Sequence, residues 1–222
     1  MKEQLSQARK RSWCYAGVIP LGSDQWGETE SINERRCFEG LRFASDIESL
    51  TVKPPAISWI DARGAARTYS PDARAHLAGG EKAYIEIKPR GVLAHASKTR
   101  TKYEEIGGFL QSQGKWRFGL MEWSWDGVFE RNVSLLSRYW NCEPSNIAVK
   151  TFEAIGNAEI MLAQLFDGAG WEHRREIWAA LAKQQLTADL HAGPLGAHTW
   201  VSLPGVIYKP VSLTSLVTEW WA

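Results

Sequence analysis

The chain has 222 residues, 44% of them hydrophobic and 23% charged, which is enough apolar material for one large domain or two small ones. Its 26 Lys and Arg against 25 Asp and Glu leave a net charge of +1 at pH 7, excluding a globally basic coat, so any contact with nucleic acid has to be local. No apolar run approaches the roughly 18 to 20 residues that span a bilayer, and residues 1–13 lack the apolar core of a signal peptide, so the reading is an intracellular protein without a membrane segment. Three cysteines, Cys14, Cys37 and Cys142, with no CxxC spacing, make neither a disulfide framework nor a cysteine-built zinc site and read as reduced thiols.

In chain order, residues 28–43 carry acidic residues first and then Ile32, Cys37, Phe38, Leu41 and Phe43 at helical spacing, with Gly40 against it. A helix there sets Glu30 and Glu34 on one face. Residues 56–87 change to short strands (56–62, 66–70, 73–77, 82–88) separated by Arg63-Gly64 and Gly79-Gly80, which reads as an antiparallel meander. A helix weakened by Gly107-Gly108 follows at 98–112, then a strand at 116–123 and a helix at 131–140. Asn141 to Asn146 is a turn-rich break, and the domain boundary is placed there, giving domains 1–142 and 143–222. Beyond it the pattern predicts helices at 152–166 and 172–186 and a hairpin of 187–193 with 198–203 around Gly193-Pro194-Leu195-Gly196. Helix, helix, hairpin is the order of a winged-helix domain. The apolar end, 206–222, is expected to pack back on the body.

The chemistry concentrates in residues 69–89. Glu86 and Lys88 are two apart in a strand and share a face, while Ile85 and Ile87 point the other way into a core. Asp72 opens the preceding strand of the same hairpin, so the turn can set its carboxylate beside Glu86. Two carboxylates with an ammonium at hand are ligands for a hard divalent cation and suit phosphodiester hydrolysis. Asp, gap, acid-x-Lys occurs about once by chance in a chain of this length; the pattern gains its weight from the Pro71 before the Asp, the Gly-Gly turn, the apolar flanks and the acidic helix upstream.

Across residues 26–142 the sequence resembles the PD-(D/E)xK nucleases and, within them, the TnsA family, the endonuclease subunits of heteromeric cut-and-paste transposases. Besides the segments at 69–72 and 86–88, Glu30-Ser31-x-x-Glu34-Arg35 resembles that family's helical acid motif. Asp46-Ile47 and Lys53-Pro54 resemble the link after it, and Asn132-x-x-Leu135-Leu136-x-x-Tyr139 resembles its closing helix. The resemblance implies an α/β fold: a restriction-endonuclease-like mixed-sheet N-terminal domain with helices, followed by a winged-helix C-terminal domain for docking or DNA. It implies Asp72 and Glu86 as metal ligands, Lys88 as the catalytic lysine, and Glu34 as the helical acid, with Glu30 or Glu48 as alternatives. It also implies Mg2+, for which Mn2+ substitutes, and transposon-end DNA as substrate. The implied partners are the DDE transposase subunit TnsB and the AAA+ regulator TnsC, and the implied location is the bacterial cytoplasm, at the nucleoid. Arg36, Gly40 and Ala73 depart from the commonest form of the motifs.

Lys88, Arg90, Lys98, Arg100 and Lys102 fall in a stretch without Asp or Glu, where a DNA backbone could be held. His76 and His95 lie near the motif but carry no expected role. Residues 146–222 hold five Lys and Arg against seven Asp and Glu, a net of −2 that fits a protein-docking surface at least as well as a DNA grip, although Arg174, Arg175 or Lys183 could reach phosphates. Of the 12 Trp, Trp59, Trp123, Trp178 and Trp200 are expected in cores, and Trp220-Trp221 to anchor on a partner or on the protein itself. Two other readings stay open: a stand-alone restriction or repair nuclease using the same residues, and a non-catalytic adaptor.

Overall fold

The computed structural model describes residues 17–20, 26–61, 63–91, 97–114, 116–123 and 127–221; Cys14, His95 and residue 62 of the first expected strand lie outside these. The protein is mixed α/β, and its contacts divide it into two compact units. Unit 1 takes the described residues up to Arg42, those of Asp46–Ser124 and those from Leu213 on; unit 2 takes Phe43–Ser45 and those of Trp125–Ser212. The division after Ser124 falls ahead of the expected 142/143 boundary, so the helix expected to close the first domain belongs to unit 2 by its contacts.

In unit 1, β1 (Gly17–Pro20) and β2 (Trp26–Thr29) form an antiparallel pair and lead into α1 (Ile32–Leu41). Ser31 caps α1 by accepting the Glu34 amide at 3.1 Å. The helix starts later than residue 28 because 26–29 are taken into that pair, and Glu30 therefore precedes it. Next come β3 (Ile47–Val52), β4 (Ile57–Ile60), β5 (Ala66–Tyr69), β6 (Ala73–Leu77), β7 (Lys82–Pro89), α2 (Ser97–Ser112) and β8 (Trp116–Trp123). The expected meander is two separate hairpins: β4 and β5 pair with each other, while β6 and β7 enter the main sheet. That sheet runs β11-β8-β7-β6-β3, where β11 (Glu219–Trp221) is the returning C-terminus after the short helix α7 (Leu213–Leu216). β7 and β8 are parallel, joined by α2 as a crossover, and the other pairs are antiparallel.

Alternation along β8 sorts the two faces. Phe118 and Leu120 join Ile57, Trp59, Tyr69, Tyr103, Ile106, Leu110 and Trp221 in one buried cluster, which seats α2 and the β4–β5 hairpin on one side of the sheet. Met121 and Trp123 meet α1 on the other side, where a Cβ on Gly40 would lie 2.8 Å from the Trp123 ring. Glycine at 40 is thus a packing requirement of α1 rather than a sign against helix. Gly107 has the same origin: a Cβ there would lie 2.6 Å from the Trp221 Cβ. Trp221 is buried in this cluster, and Trp220 stacks on the Arg117 guanidinium at 4.2 Å, so the terminal pair anchors on its own unit.

Unit 2 contains α3 (Val128–Ser137), α4 (Ile147–Ile155), β9 (Ile160–Met161), α5 (Leu162–Ala169), a 3-10 turn (Trp171–His173), α6 (Arg174–Ala182) and β10 (Trp200–Val201). The helix expected over 152–166 is broken at Gly156, which caps α4 with φ 76. β10 pairs antiparallel with β9, and Thr187 bridges Ser202; no regular strand covers 187–193. The reason is local: Asp189 accepts the His191 amide at 2.9 Å, an Asx turn that ends extended structure. The buried Asn132 of α3 then holds the segment, donating to the Leu190 and Gly193 carbonyls at 2.9 and 2.8 Å and accepting the Leu195 amide at 2.9 Å. Trp59, Trp123 and Trp178 are buried, whereas Trp200 is 45% exposed on a two-residue strand of a two-stranded sheet. Among the described residues no helix is long and apolar enough to cross a membrane; Cys37 is buried and Cys142 half-buried, both as reduced cysteines.

Candidate active site

The β6–β7 hairpin fixes three of the four expected site residues. Asp72 stands at the entrance to β6: its amide donates to the Ile85 carbonyl at 3.1 Å, and its own Oδ2 accepts the Ile87 amide at 2.9 Å. Glu86 and Lys88 lie on β7, on the strand face opposite Ile85 and Ile87, and Glu86 shares its face with the neighbouring Leu120. That puts Glu86 under α2, where the Tyr103 hydroxyl donates to Glu86 Oε1 at 3.3 Å. Lys88 Nζ also donates to Oε1, and to the Ile87 carbonyl at 3.3 Å.

The Glu86 side chain is only 7% exposed, and its second oxygen, Oε2, is buried with no hydrogen-bond partner. Burial pushes the Glu86 carboxyl above the ordinary carboxylate range; the Asp72 charge pushes the same way, and Lys88 opposes both. The buried Tyr69 hydroxyl faces the Glu86 carboxylate and the Tyr103 hydroxyl, and burial followed by the Glu86 charge drives the Tyr69 and Tyr103 phenols far up, so both stay protonated. A buried carboxylate with one bare oxygen, ringed by neutral phenols, is short of positive charge.

The fourth expected residue, Glu34, arrives from α1. Its Oε2 accepts the Glu30 amide at 2.9 Å, a variant of the capping box in which the N3 acid reaches one residue beyond the cap. The residue linking Glu34 to Asp72 is Lys53: its Nζ lies 3.5 Å from Glu34, 3.5 Å from Asp72 and 3.7 Å from Glu30. Burial alone would lower the Lys53 pKa, but Glu34, Asp72 and Glu30 together outweigh it and raise it. Of the alternative helical acids, Glu30 reaches this cluster, whereas Glu48 is exposed on β3. Among the described residues no three of His, Cys, Asp and Glu converge at metal-ligand spacing. The donor set is nonetheless oxygen-only, as a hard divalent cation prefers, and the bare Glu86 Oε2 fits such an ion.

The cations proposed for DNA scatter in environment. Arg90 and Lys98 are exposed, Arg100 pairs with Glu219, and Lys102 lies 4.1 Å over the Tyr69 ring. In unit 2, Arg174 stacks on Trp171 at 4.7 Å and on Phe166 at 5.5 Å, and Arg175 donates to Cys142 Sγ at 3.2 Å. His76 meets the edge of Trp116. Sequence reasoning passed over Lys53, Tyr69 and Tyr103. Lys53 stands in a segment noted only as a link, while the tyrosines bear on Glu86 through a tertiary approach that no spacing encodes.

Comparison of the chain with protein-family models and with curated proteins finds no match.

Proposed function

We propose that the chain is a metal-dependent DNA endonuclease of the TnsA type, which hydrolyses the non-transferred strand at the 5′ ends of a transposable element. The observation that carries this reading is the β6–β7 hairpin, which holds Asp72 by the Ile87 amide next to a buried, half-bare Glu86 with Lys88 on the same strand face. Asp72, Glu86 and Glu34 would hold Mg2+, or Mn2+ in its place. When bound, the ion supplies Lewis-acid charge at the scissile phosphate.

The chain's own residues account for the rest. The Ile87 amide fixes one Asp72 oxygen and so aims the other. Tyr103 fixes Glu86 Oε1, leaving Oε2 for the ion. Lys88, with a side chain 31% exposed, can turn its ammonium from Glu86 toward the phosphate and stabilise the extra negative charge as a water oxygen bonds to phosphorus. The P–O3′ bond breaks, the 3′ oxygen takes up a proton, and the products are a 5′-phosphate and a 3′-hydroxyl. Arg90, Lys98, Arg100 and Lys102 supply backbone contacts.

For unit 2 we propose a winged-helix docking module. The order α4, β9, α5, α6, the Thr187 bridge and β10, with β9 paired to β10, supports it. Its exposed Trp171, Trp200, Val206 and Ile207, together with the acidic balance of residues 146–222, favour protein partners, which we take to be TnsB and TnsC, with Arg174 and Arg175 left for phosphates.

The test is strand-specific cleavage of an end-containing DNA by the reconstituted transposase in Mg2+, comparing wild type with Lys88→Ala. Loss of the 5′-end cut alone supports the proposal. Unchanged cutting of both strands removes the catalytic role and leaves an assembly role. Autonomous, sequence-specific cutting by the purified chain favours a stand-alone nuclease.

A further inference from the structure

Four carboxylates stand at one end of the β6–β7 hairpin, yet they do not form a ready metal cage, and the reason is visible in their partners. Lys53 Nζ sits at 3.5 to 3.7 Å from Glu30, Glu34 and Asp72, and Lys88 Nζ holds Glu86. The Lys53 ammonium therefore does for three of these acids what a divalent cation would do. Its backbone is unusual: φ is 48, in the left-handed region, and among the described residues only Gln184 shares this outside glycine. A long cationic side chain thus stands where Gly or Asn is favoured, and its amide donates to the Asp72 carbonyl at 2.9 Å, tying the strained turn to the site. The Lys53 side chain is 38% exposed, so it has a route into water.

We infer that Lys53 is the resident counter-ion of the candidate metal site, and that loading a divalent cation is an exchange in which the Lys53 ammonium leaves Glu34 and Asp72. This rests on the metal-site reading of Asp72, Glu86 and Glu34 above. Two consequences follow. Without metal, Lys53 offsets part of the charge of the three acids, and the cluster stays together. With metal, the apparent affinity is reduced by the ion pairs that must first break; the two partly exposed pairs to Glu34 and Asp72 correspond to about tenfold.

The experiment uses the full chain and Mn2+ alone. Binding is measured by the paramagnetic signal of free Mn2+ for wild type, Lys53→Gln and Glu86→Gln. In parallel, lysine reactivity toward an amine-acylating reagent is mapped by mass spectrometry with and without Mn2+. The expected result is about tenfold tighter Mn2+ binding by Lys53→Gln, loss of binding in Glu86→Gln, and a rise in wild-type Lys53 labelling on Mn2+ addition that Glu86→Gln does not show. Equal or weaker binding by Lys53→Gln, with Glu86→Gln still abolishing it, overturns the counter-ion role and leaves the metal site standing. No Mn2+ binding by wild type or Lys53→Gln overturns the metal site and this inference with it. If Lys53→Gln fails to fold, the wild-type labelling decides: Lys53 reactivity unchanged at saturating Mn2+ refutes the exchange.

Discussion

Adjacent glycines in α2 give a sharp check on how unit 1 is held together. On helix propensity alone, Gly107→Ala and Gly108→Ala should each stabilise by about 1 kcal/mol. Their surroundings differ: a Cβ on Gly108 meets nothing within 4 Å, whereas one on Gly107 lies 2.6 Å from the Trp221 Cβ and 2.8 Å from the Trp221 carbonyl carbon and oxygen. Carbon atoms in contact prefer about 3.5 to 4.0 Å, so β11 has to withdraw by about 1 Å, and two of the three close atoms are backbone that no rotamer change can remove. Overpacking of this kind costs about 1 to 3 kcal/mol, and here it also pulls at the pairing of Trp221 with Phe118. Gly108→Ala should therefore be more stable than wild type by about 1 kcal/mol, and Gly107→Ala, with that gain set against the overpacking, less stable than wild type by up to about 2 kcal/mol. Urea denaturation of the three proteins followed by far-UV circular dichroism reads the order directly. Equal stability of the two variants would refute the close approach of β11 to α2.

Glu86→Gln should change the pH dependence of the metal-free protein. The folded pKa of Glu86 is raised, so between the ordinary carboxylate value and the folded one the native state keeps a proton that the unfolded state has lost, and stability falls as pH rises, by up to about 1.4 kcal/mol per unit. The Gln variant lacks this decline and should gain on wild type from about pH 4.5 upward; thermal melts in chelator from pH 4 to 8 that show a constant difference would contradict it. In unit 2, Asn132→Ala leaves the Leu190 and Gly193 carbonyls and the Leu195 amide without that side chain, and should cost about 2 to 4 kcal/mol in a urea melt, against less than 1 if the segment holds itself.

How much of this was legible in the sequence follows from how far each signal reaches. β8 runs over the predicted residues and α2 starts one residue early, because alternation and helical spacing are local. The same alternation put Glu86 and Lys88 on one face and Asp72 beside them. Two of the three glycines that weakened the helical patterns, Gly40 and Gly107, serve neighbours distant in sequence, Trp123 and Trp221, and composition cannot tell such a glycine from a breaker. Residues 152–166 carried one apolar rhythm, but Gly156 takes a left-handed φ and divides it. Trp200 is apolar yet exposed, on a two-residue strand of a two-stranded sheet whose extent the apolar pattern does not show. Lys53 was out of reach for another reason: Glu30 and Glu34 lie 23 and 19 residues before it and Asp72 lies 19 residues after it, and only the folded turn gathers them.

Because β11 is the edge strand beside β8, unit 1 is interrupted in the chain: all of Trp125–Ser212 is synthesised between two neighbouring strands of one sheet. On the ribosome, the sheet that carries Asp72, Glu86 and Lys88 has to wait with the β8 edge open and a hole where Trp221 belongs until Glu219–Trp221 emerge. A chain stopped anywhere within unit 2 is thus left with an unpaired strand and an exposed aromatic cluster, the features that proteases and chaperones act on. The topology thus makes closure of the sheet that carries the candidate site depend on prior synthesis of all of unit 2.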